Sequence, residues 1–216
     1  MDFKINNTTN TVNCDILLLT LPFSILKNIP FQPGWPSWKQ NAISNLGYGN
    51  NSKLMLGFTR RFWRDGGYQG NFFTDSALQI GWDNSLSQSP VTGGLTIYSG
   101  GAQSLAVGNG TVQQQVNQHL PLLNQIFPGT ITHYNNKAER FIWPTHKWTK
   151  ASYSCFYPGQ YTSLAGNEMK PVENIFFAGE HCSYNFQGYM NGGAETGRRA
   201  AENIVKALTG NVVMAS

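Results

Sequence analysis

The sequence NIFFAGEHCSYNFQGYMNGGAETGRRAAENIV, residues 174–205, contains the pattern that decides the fold of this chain. Its apolar start predicts a buried strand, and its Gly- and Ala-rich end predicts a helix that begins near residues 188–190 and ends near Gly210. The strand places Gly179 and Glu180 at its carboxyl end, and ligands of open α/β sheets lie outside that edge. We therefore interpret the stretch as half of a ligand-binding site.

The start of the predicted helix is suited to an electron-rich ligand atom. The first backbone N–H groups of a helix lack intrahelical partners, and the helix dipole is positive there. A glycine inside a helix costs about 1 kcal/mol relative to alanine, yet this helix carries Gly192, Gly193 and Gly197. Such a cost indicates either a ligand close to the backbone or tight packing of the helix on its own sheet.

The two ends of the chain differ in pattern from its middle. The apolar residues 14–22 predict a second buried strand, and the residues at 52–63 and 66–101 predict successive strands of a sheet. A helix is predicted at 37–47, with Ser37 as N-cap and Gly47 as C-cap, and another at 111–127, with a kink or break at Pro121. The chain is thus predicted to be α+β, with a mixed or antiparallel central sheet inserted between ends that belong to one layered domain.

The composition limits the possible partners. Charged residues make up 12% and aromatic residues 13% of the 216 residues, which indicates that much of the surface contacts a ligand, a domain or a subunit. The net charge of +4 comes from scattered residues, so nucleic-acid binding is not expected. The wide spacing of Cys14, Cys155 and Cys182 suits neither a disulfide framework nor a metal site. The apolar run at 16–21 is too short to span a membrane.

The stretch 174–205 closely resembles the C-terminal motif of the flavin-dependent amine oxidases, which include monoamine oxidases, L-amino-acid oxidases and polyamine oxidases. In that family the AGE strand end lies along the ribityl and pyrophosphate of FAD, and the helix after GYM directs its N-terminus at the isoalloxazine ring. The residues that the resemblance places against FAD here are Gly179, Glu180, Gly188, Tyr189 and Met190. It also implies that Tyr189 faces the substrate as one wall of an aromatic cage.

Three further segments support the resemblance. Residues 14–29 resemble the family's last strand before its substrate domain. LGYGNNSKLMLGFTRRFW, residues 46–63, resembles the segment with its site lysine, which implies that Lys53 holds a water against flavin N5; the alternative is an ordinary lysine on a sheet face. The loop at 143–161 resembles the one beside the flavin. It implies that Trp143 contacts the cofactor and that Trp148 and Tyr153 contact the substrate, with core packing as the alternative for the last two.

The resemblance also implies how FAD is held. In the covalently flavinylated monoamine oxidases a cysteine of this loop is bonded to the ring. Counting back from Pro158, that position falls on Ala151, and Cys155 does not align with it. We therefore expect non-covalent FAD, or none in this chain alone.

Only the second half of the family's pattern is represented. The family begins with a GxGxxG turn that holds the FAD diphosphate, and its nearest imitation here, GNGTVQ at 108–113, lacks the third glycine and is predicted to be an N-cap loop. We expect an incomplete α/β FAD-binding domain at 1–28 and 173–216, and a substrate-binding domain with a mixed or antiparallel sheet flanked by helices at 29–172.

The implied function is part of a FAD-dependent amine oxidase, which oxidises the C–N bond of a small amine or amino acid to an imine and reduces O₂ to H₂O₂. The chain alone is expected to be inactive and to need an N-terminal FAD-domain half, in cis or in trans, or to self-associate. The alternatives are a non-catalytic module that binds a hydrophobic ligand or a partner chain without FAD, and a family enzyme acting on a non-amine substrate, such as a desaturase.

Substrate choice and location follow less directly from the residues. An amino-acid oxidase needs a cation for the substrate carboxylate, and the candidates are Arg60, Arg61, Arg64 and Arg140. The default expectation is a cytoplasmic location, because an export signal would lie in the missing N-terminal part.

Overall fold

In the computed structural model, residues 2–88 and 91–210 are described. The chain forms two compact units, a terminal unit (Met1–Tyr48 and Tyr153–Ser216) and a central unit (Gly49–Ser152). The domain ranges 1–28, 29–172 and 173–216 remain predictions; residues 1, 89–90 and 211–216 within them lie outside the described residues.

The elements alternate between strands and helices along the chain. The strands are β1 (Asp2–Ile5), β2 (Thr8–Thr11), β3 (Leu17–Leu19), β4 (Asn51–Phe58), β5 (Phe72–Phe73), β6 (Ile80–Asp83), β7 (Gly93–Gly100), β8 (Tyr134–Ile142) and β9 (Ile175–Phe177). The helices are α1 (Phe23–Leu26), α2 (Ser37–Asn45), α3 (Gly101–Gly108), α4 (Val112–Ile126), α5 (Thr130–His133), α6 (Gln160–Leu164) and α7 (Met190–Leu208). Short 3₁₀ turns lie at Phe62–Gly66, Trp143–Thr145 and Glu180–Cys182.

The terminal unit joins the two ends of the chain through one parallel pair of strands. Strands β3 and β9 pair with Leu17 opposite Ile175 and Leu19 opposite Phe177, which confirms that the ends belong together. Both strands are shorter than the apolar runs that predicted them, and together they form a two-stranded sheet among the described residues. The core beside this pair contains Phe23 from α1, along with side chains of α2.

The central unit is built on an antiparallel five-stranded sheet in the order β5-β6-β7-β4-β8. On β4, Leu54, Leu56 and Phe58 are buried in a core that also includes residues of α3 and α4. Lys53 and Met55 alternate with them, because successive side chains of a strand point to opposite faces. The predicted alternation along β4 is therefore confirmed, and the helices cover the Leu54 face of the sheet.

The ends of α2 differ from the prediction. Its N-cap is Pro36 rather than Ser37, and its C-cap is Leu46 rather than Gly47. Gly47 has another role, because a Cβ atom there would overlap the carbonyl oxygen of Cys155, whose N–H donates to the Gly47 carbonyl at 2.9 Å. The glycine is required by a close approach between distant segments, which a local capping pattern does not reveal.

A kink or break was predicted at Pro121, and helix α4 is continuous through that residue, so the break is wrong. The flanking Leu120, Leu122 and Leu123 pack in or against the core, and this packing keeps the helix together despite the hydrogen bond that proline cannot donate. The predicted N-cap loop before this helix is confirmed. Thr111 caps α4 in a capping box with Gln114.

Candidate functional site

The candidate site in the terminal unit lies at the start of α7. The helix begins at Met190, and its N-cap, Tyr189, makes no side-chain capping hydrogen bond. Gly188 turns the chain into the helix at φ 85°, a backbone conformation that favours glycine. Tyr189 is 70% exposed and Met190 is 92% exposed, so this unit presents an uncapped helix N-terminus to its surface, as the sequence predicted.

The carboxylate of Glu180 holds the loops around this helix start. It accepts hydrogen bonds from the N–H of Ser154 at 2.9 Å, from the Ser154 hydroxyl at 2.8 Å and from the N–H of Gly188 at 2.7 Å. Glu180 therefore joins the end of β9 to the loop after Tyr153 and to the turn before α7. Three protein donors thus share its two oxygens, two of them on Oε2 and one on Oε1.

Gly179 connects β9 to Glu180 and its hydrogen bonds. Its φ of 136° lies in the region that favours glycine, and a Cβ atom there would come within 2.6 Å of the His181 ring. Its N–H donates to the Thr196 hydroxyl at 2.9 Å, and that hydroxyl donates to the Gly192 carbonyl at 2.8 Å. Thr196 thereby fixes the strand end on α7.

The glycines of α7 have different surroundings. A Cβ atom on Gly192 would overlap the Phe186 carbonyl oxygen and lie 2.9 Å from the Ser183 Cβ, so packing within this unit explains that glycine. Around Gly193 the nearest atom would be 4.0 Å away, and around Gly197 no described atom would lie within 4 Å. The space beside these two glycines is open to another group, which fits a cofactor or a further segment close to the helix.

Lys53 in the central unit lies among aromatic rings. Its Nζ is 5.7 Å from the ring centre of Trp82 and 6.0 Å from that of Tyr98. Phe141 of β8 is its register partner on the other side, and the rings of Phe141 and Trp143 are 4.5 Å apart. Lys53 and Trp143 are thus brought to one part of the central unit, on the sheet face opposite Leu54.

The predicted substrate residues Trp148 and Tyr153 belong to different units of the chain. Trp148 is 67% exposed, and the Nζ of Lys147 lies 4.5 Å from its ring centre. Tyr153 packs at the turn before α7, because a Cβ atom on Gly188 would be 3.4 Å from its ring. The residues of the terminal unit are Gly179, Glu180, Gly188, Tyr189, Met190 and Tyr153. Those of the central unit are Lys53, Trp143 and Trp148.

Sequence reasoning missed the partners of these residues. Ser154 and Thr196 hold the strand–turn–helix segment, and Trp82, Tyr98 and Phe141 surround Lys53. Alternation along each strand predicts which of its residues share a face. The register that brings residues of four strands together depends on long-range pairing, which a single strand pattern does not contain.

The four candidate arginines have partners within the chain. Arg60 pairs with Asp65, Arg64 pairs with Asp83 at 3.3 Å, and Arg61 donates to the carbonyls of Ser85 and Gln88 at 2.7 and 2.6 Å.

Arg140 is directed away from Lys53. It is the register partner of Leu54, on the helix-covered face of the sheet. Its guanidinium donates to the carbonyls of Val107, Asn109 and Gly110 at 2.8, 3.0 and 3.0 Å. Arg140 therefore anchors the connection between α3 and α4.

Residues 2–88 and 91–210 contain no group of three His, Cys, Asp or Glu residues arranged to hold a metal ion. In the same part of the chain, no helix has the length and apolar character needed to cross a membrane.

Comparison with known proteins gives a consistent match. The family model described as flavin containing amine oxidoreductase matches residues 3–205. The chain is 30% identical over 197 residues to polyamine oxidase 2 of Arabidopsis thaliana, covering 89% of this chain and 39% of that protein. It is 28% identical over 237 residues to a possible lysine-specific histone demethylase 1 of Drosophila melanogaster, covering 97% of this chain and 26% of that protein. The chain thus spans well under half the length of these relatives.

Solved structures show the same fold. Cyclohexylamine oxidase from Brevibacterium oxydans superimposes with a TM-score of 0.86 at 20% identity, over 96% of this chain and 46% of that one. Wild-type putrescine oxidase bound to putrescine superimposes with a TM-score of 0.80 at 20% identity, over 88% and 42% of the two chains.

Replacing Glu180 by alanine should destabilise the terminal unit. The variant loses three hydrogen bonds to a charged acceptor, so we expect the free energy of unfolding to fall by about 3 kcal/mol, with a smaller loss for Glu180→Gln, which keeps one acceptor oxygen. The measurement is urea unfolding. Glu202→Ala is the control, since Glu202 makes an exposed ion pair with Arg198 and such pairs contribute little. An equal loss of unfolding free energy in the two alanine variants would contradict a stabilising role of the Glu180 hydrogen bonds.

Two alanine substitutions in α7 should change the free energy of unfolding in opposite directions. Gly192→Ala overlaps the backbone of Phe186 and should lower the free energy of unfolding by about 1–3 kcal/mol. Gly197→Ala meets open space and should raise it by about 1 kcal/mol through helix propensity. The same unfolding measurement compares both with the unsubstituted chain, and a stabilising Gly192→Ala would show that the turn before α7 does not approach the helix closely.

Proposed function

Since this chain belongs to the flavin containing amine oxidoreductase family, we propose that it supplies the C-terminal part of a FAD-dependent amine oxidase. The observation that carries the proposal is the uncapped, exposed start of α7, held in place by the Glu180 carboxylate. A helix N-terminus of this kind stabilises the electron-rich edge of a ligand. The glycines with open space beside them support close contact with a cofactor or with a further segment of the protein.

The residues proposed to contact FAD are those that the family resemblance names. In the terminal unit these are the backbone of Gly179 and Glu180, the Gly188 turn, and the helix start at Tyr189 and Met190. In the central unit Trp143 is proposed to lie against the ring. Binding is proposed to be non-covalent, since Ala151 occupies the position at which the resemblance would require a cysteine. The bound flavin would supply the redox chemistry, accepting a hydride from the carbon next to the amine nitrogen and passing the electrons to O₂.

Orientation is the proposed contribution of the chain's own side chains. Tyr189 offers an exposed ring that can align a neutral amine, and Trp148 and Tyr153 are the further proposed substrate contacts. Lys53 is proposed to hold a water molecule beside the flavin. The rings of Trp82 and Tyr98 support this role, because they position the ammonium group by cation–π contacts and reduce its freedom.

The proposed substrate is an amine without a carboxylate. Arg60, Arg61, Arg64 and Arg140 all bind groups of the chain itself, which leaves none of these four to pair with an amino-acid carboxylate without breaking an existing contact. The name polyamine oxidase of a relative supports the amine class. An amino-acid substrate would need a cation from another part of the protein.

A complete site is proposed to require an N-terminal FAD-domain half, in cis or in trans. The short β3–β9 pair and the open side of α7 support an incomplete domain of this kind, since two-stranded sheets are marginally stable alone. The alternative is a non-catalytic module that binds without FAD, but the family match over residues 3–205 favours the oxidase.

Absorption spectroscopy tests the requirement for the other half. We expect no flavin bands when the chain alone is purified and mixed with FAD, and stoichiometric flavin when an N-terminal FAD-domain half is present in the same polypeptide or added separately. Amine addition without O₂ should then bleach the bands. Stoichiometric flavin on the chain alone would show that it completes its own site, and a two-part protein that ignores FAD would contradict the oxidase proposal.

Lys53→Met in the flavin-loaded protein should slow one of the two half-reactions by about 10- to 100-fold, because a positioned water is lost. The half-reactions are the reduction of the flavin by amine and the reoxidation of the reduced flavin by O₂. Stopped-flow absorbance separates the two half-reactions. Lys137→Met is the control, since Lys137 is exposed on β8. Unchanged rates in both variants would leave Lys53 as an ordinary sheet lysine.

A further inference from the structure

A small cavity lies inside the terminal unit, next to the loop that connects the Glu180–Cys182 turn to α7. Its volume is about 40 Å³. One side is formed by His181 and by loop residues up to Gln187, and the other by residues between Phe156 and Met169, which include Glu168. It is distinct from the exposed helix start, although both are bordered by the same loop.

Three side-chain atoms of this lining are buried without a hydrogen-bond partner among the described residues. They are Oε2 of Glu168, Nε2 of His181 and Nε2 of Gln187. Glu168 and His181 are each only 3% exposed. Buried polar atoms almost always have a partner, and an unpaired one is costly. Three such atoms around one cavity indicate that something polar occupies it.

Two polar side chains next to Glu168, those of Lys39 and Cys182, donate to backbone carbonyls. The buried ammonium of Lys39 donates to the carbonyls of Asn167 and Glu168 at 2.6 and 3.0 Å. The thiol of Cys182 donates to the same Glu168 carbonyl at 3.5 Å. These contacts fix the backbone of residues 167–168 and do not engage the Glu168 Oε2 atom, which stays without a partner among the described residues.

The chemistry of the three atoms selects the occupant. The Glu168 oxygen accepts hydrogen bonds when ionised, the Gln187 amide nitrogen donates, and burial lowers the pKa of His181 to about 4, so its neutral ring can do either. A mixed set of donors and acceptors suits a neutral molecule that both donates and accepts. A metal ion is disfavoured by the amide donor and the nearby Lys39, an anion by the carboxylate, and an apolar molecule by all three.

We propose that this cavity binds water, and that about two or three molecules fill it, at roughly 10–15 Å³ each, linking Glu168, His181 and Gln187 in one hydrogen-bond network. The hydroxyl of Tyr161 donates to that of Tyr184, and both rings line the cavity. Both side chains are more than half exposed, so at this pair the lining of the cavity reaches the surface of the terminal unit. Through Gln187 the network supports the turn at Gly188.

A high-resolution crystal structure of the full chain tests the occupant directly. The expected result is two or three ordered waters within hydrogen-bond distance of the three atoms. An empty cavity, a metal ion or organic molecule in it, or side chains that have turned to pair with each other would each overturn the proposal.

Gln187→Met supplies the energetic test. The side chain keeps its length but loses the amide, so the variant should lose one ordered water and unfold about 2–4 °C lower, the shift expected for one hydrogen bond in a chain of this size. Gln40→Met, at an exposed position of α2, is the matched control and should leave the midpoint almost unchanged. A dry cavity predicts the opposite sign, because the substitution would then remove an unpaired buried amide and raise the midpoint.

Discussion

The arrangement of the terminal unit depends on the carboxylate of Glu180. One side chain binds the backbone and hydroxyl of Ser154 and the N–H of Gly188, and so joins the Glu180–Cys182 turn to a loop 26 residues earlier and to a turn 8 residues later. The turn at Gly188 also contains a backbone hydrogen bond from the Tyr189 N–H to the Phe186 carbonyl at 3.1 Å. Because the Gly188 N–H is held by a charged acceptor as well, Glu180 contributes to the direction in which α7 begins.

The glycines between Gly179 and Gly197 have different structural roles. Gly179 is needed for its backbone conformation and for the space taken by the His181 ring, and Gly192 is needed because Phe186 packs against the helix. Gly197 has neither reason within the described residues. A glycine in a helix costs stability, and packing among the described residues does not account for Gly197. Self-packing therefore explains Gly192 but not every glycine of the helix.

The sequence predicted the elements well where the local pattern determines them. The strand–turn–helix at 174–205, the alternation along β4 and the N-cap loop before α4 all depend on neighbouring residues, and all are present. The failures involve distant contacts. Gly47 was assigned to a helix end, although it is required by its close approach to Cys155, and the binding of the Glu180 carboxylate to Ser154 and Gly188 was not anticipated. Neither partner is visible from the residues next to these positions.

The register of β8 against β4 also depends on distant contacts, and it determines which side chain of β8 lies beside Lys53. Phe141 is opposite Lys53, and Arg140 is opposite Leu54, so the aromatic side chain lies beside the lysine and the cation lies on the face covered by helices. A shift of one residue would exchange the two faces and place a guanidinium next to Lys53. Two interactions oppose that shift: the apolar residues of β4 must stay in the core, and Arg140 is bound to three carbonyls between α3 and α4. The packing of the core thus determines that an aromatic ring, and not an arginine, borders the lysine, and this arrangement supports the proposal of an amine rather than an amino-acid substrate.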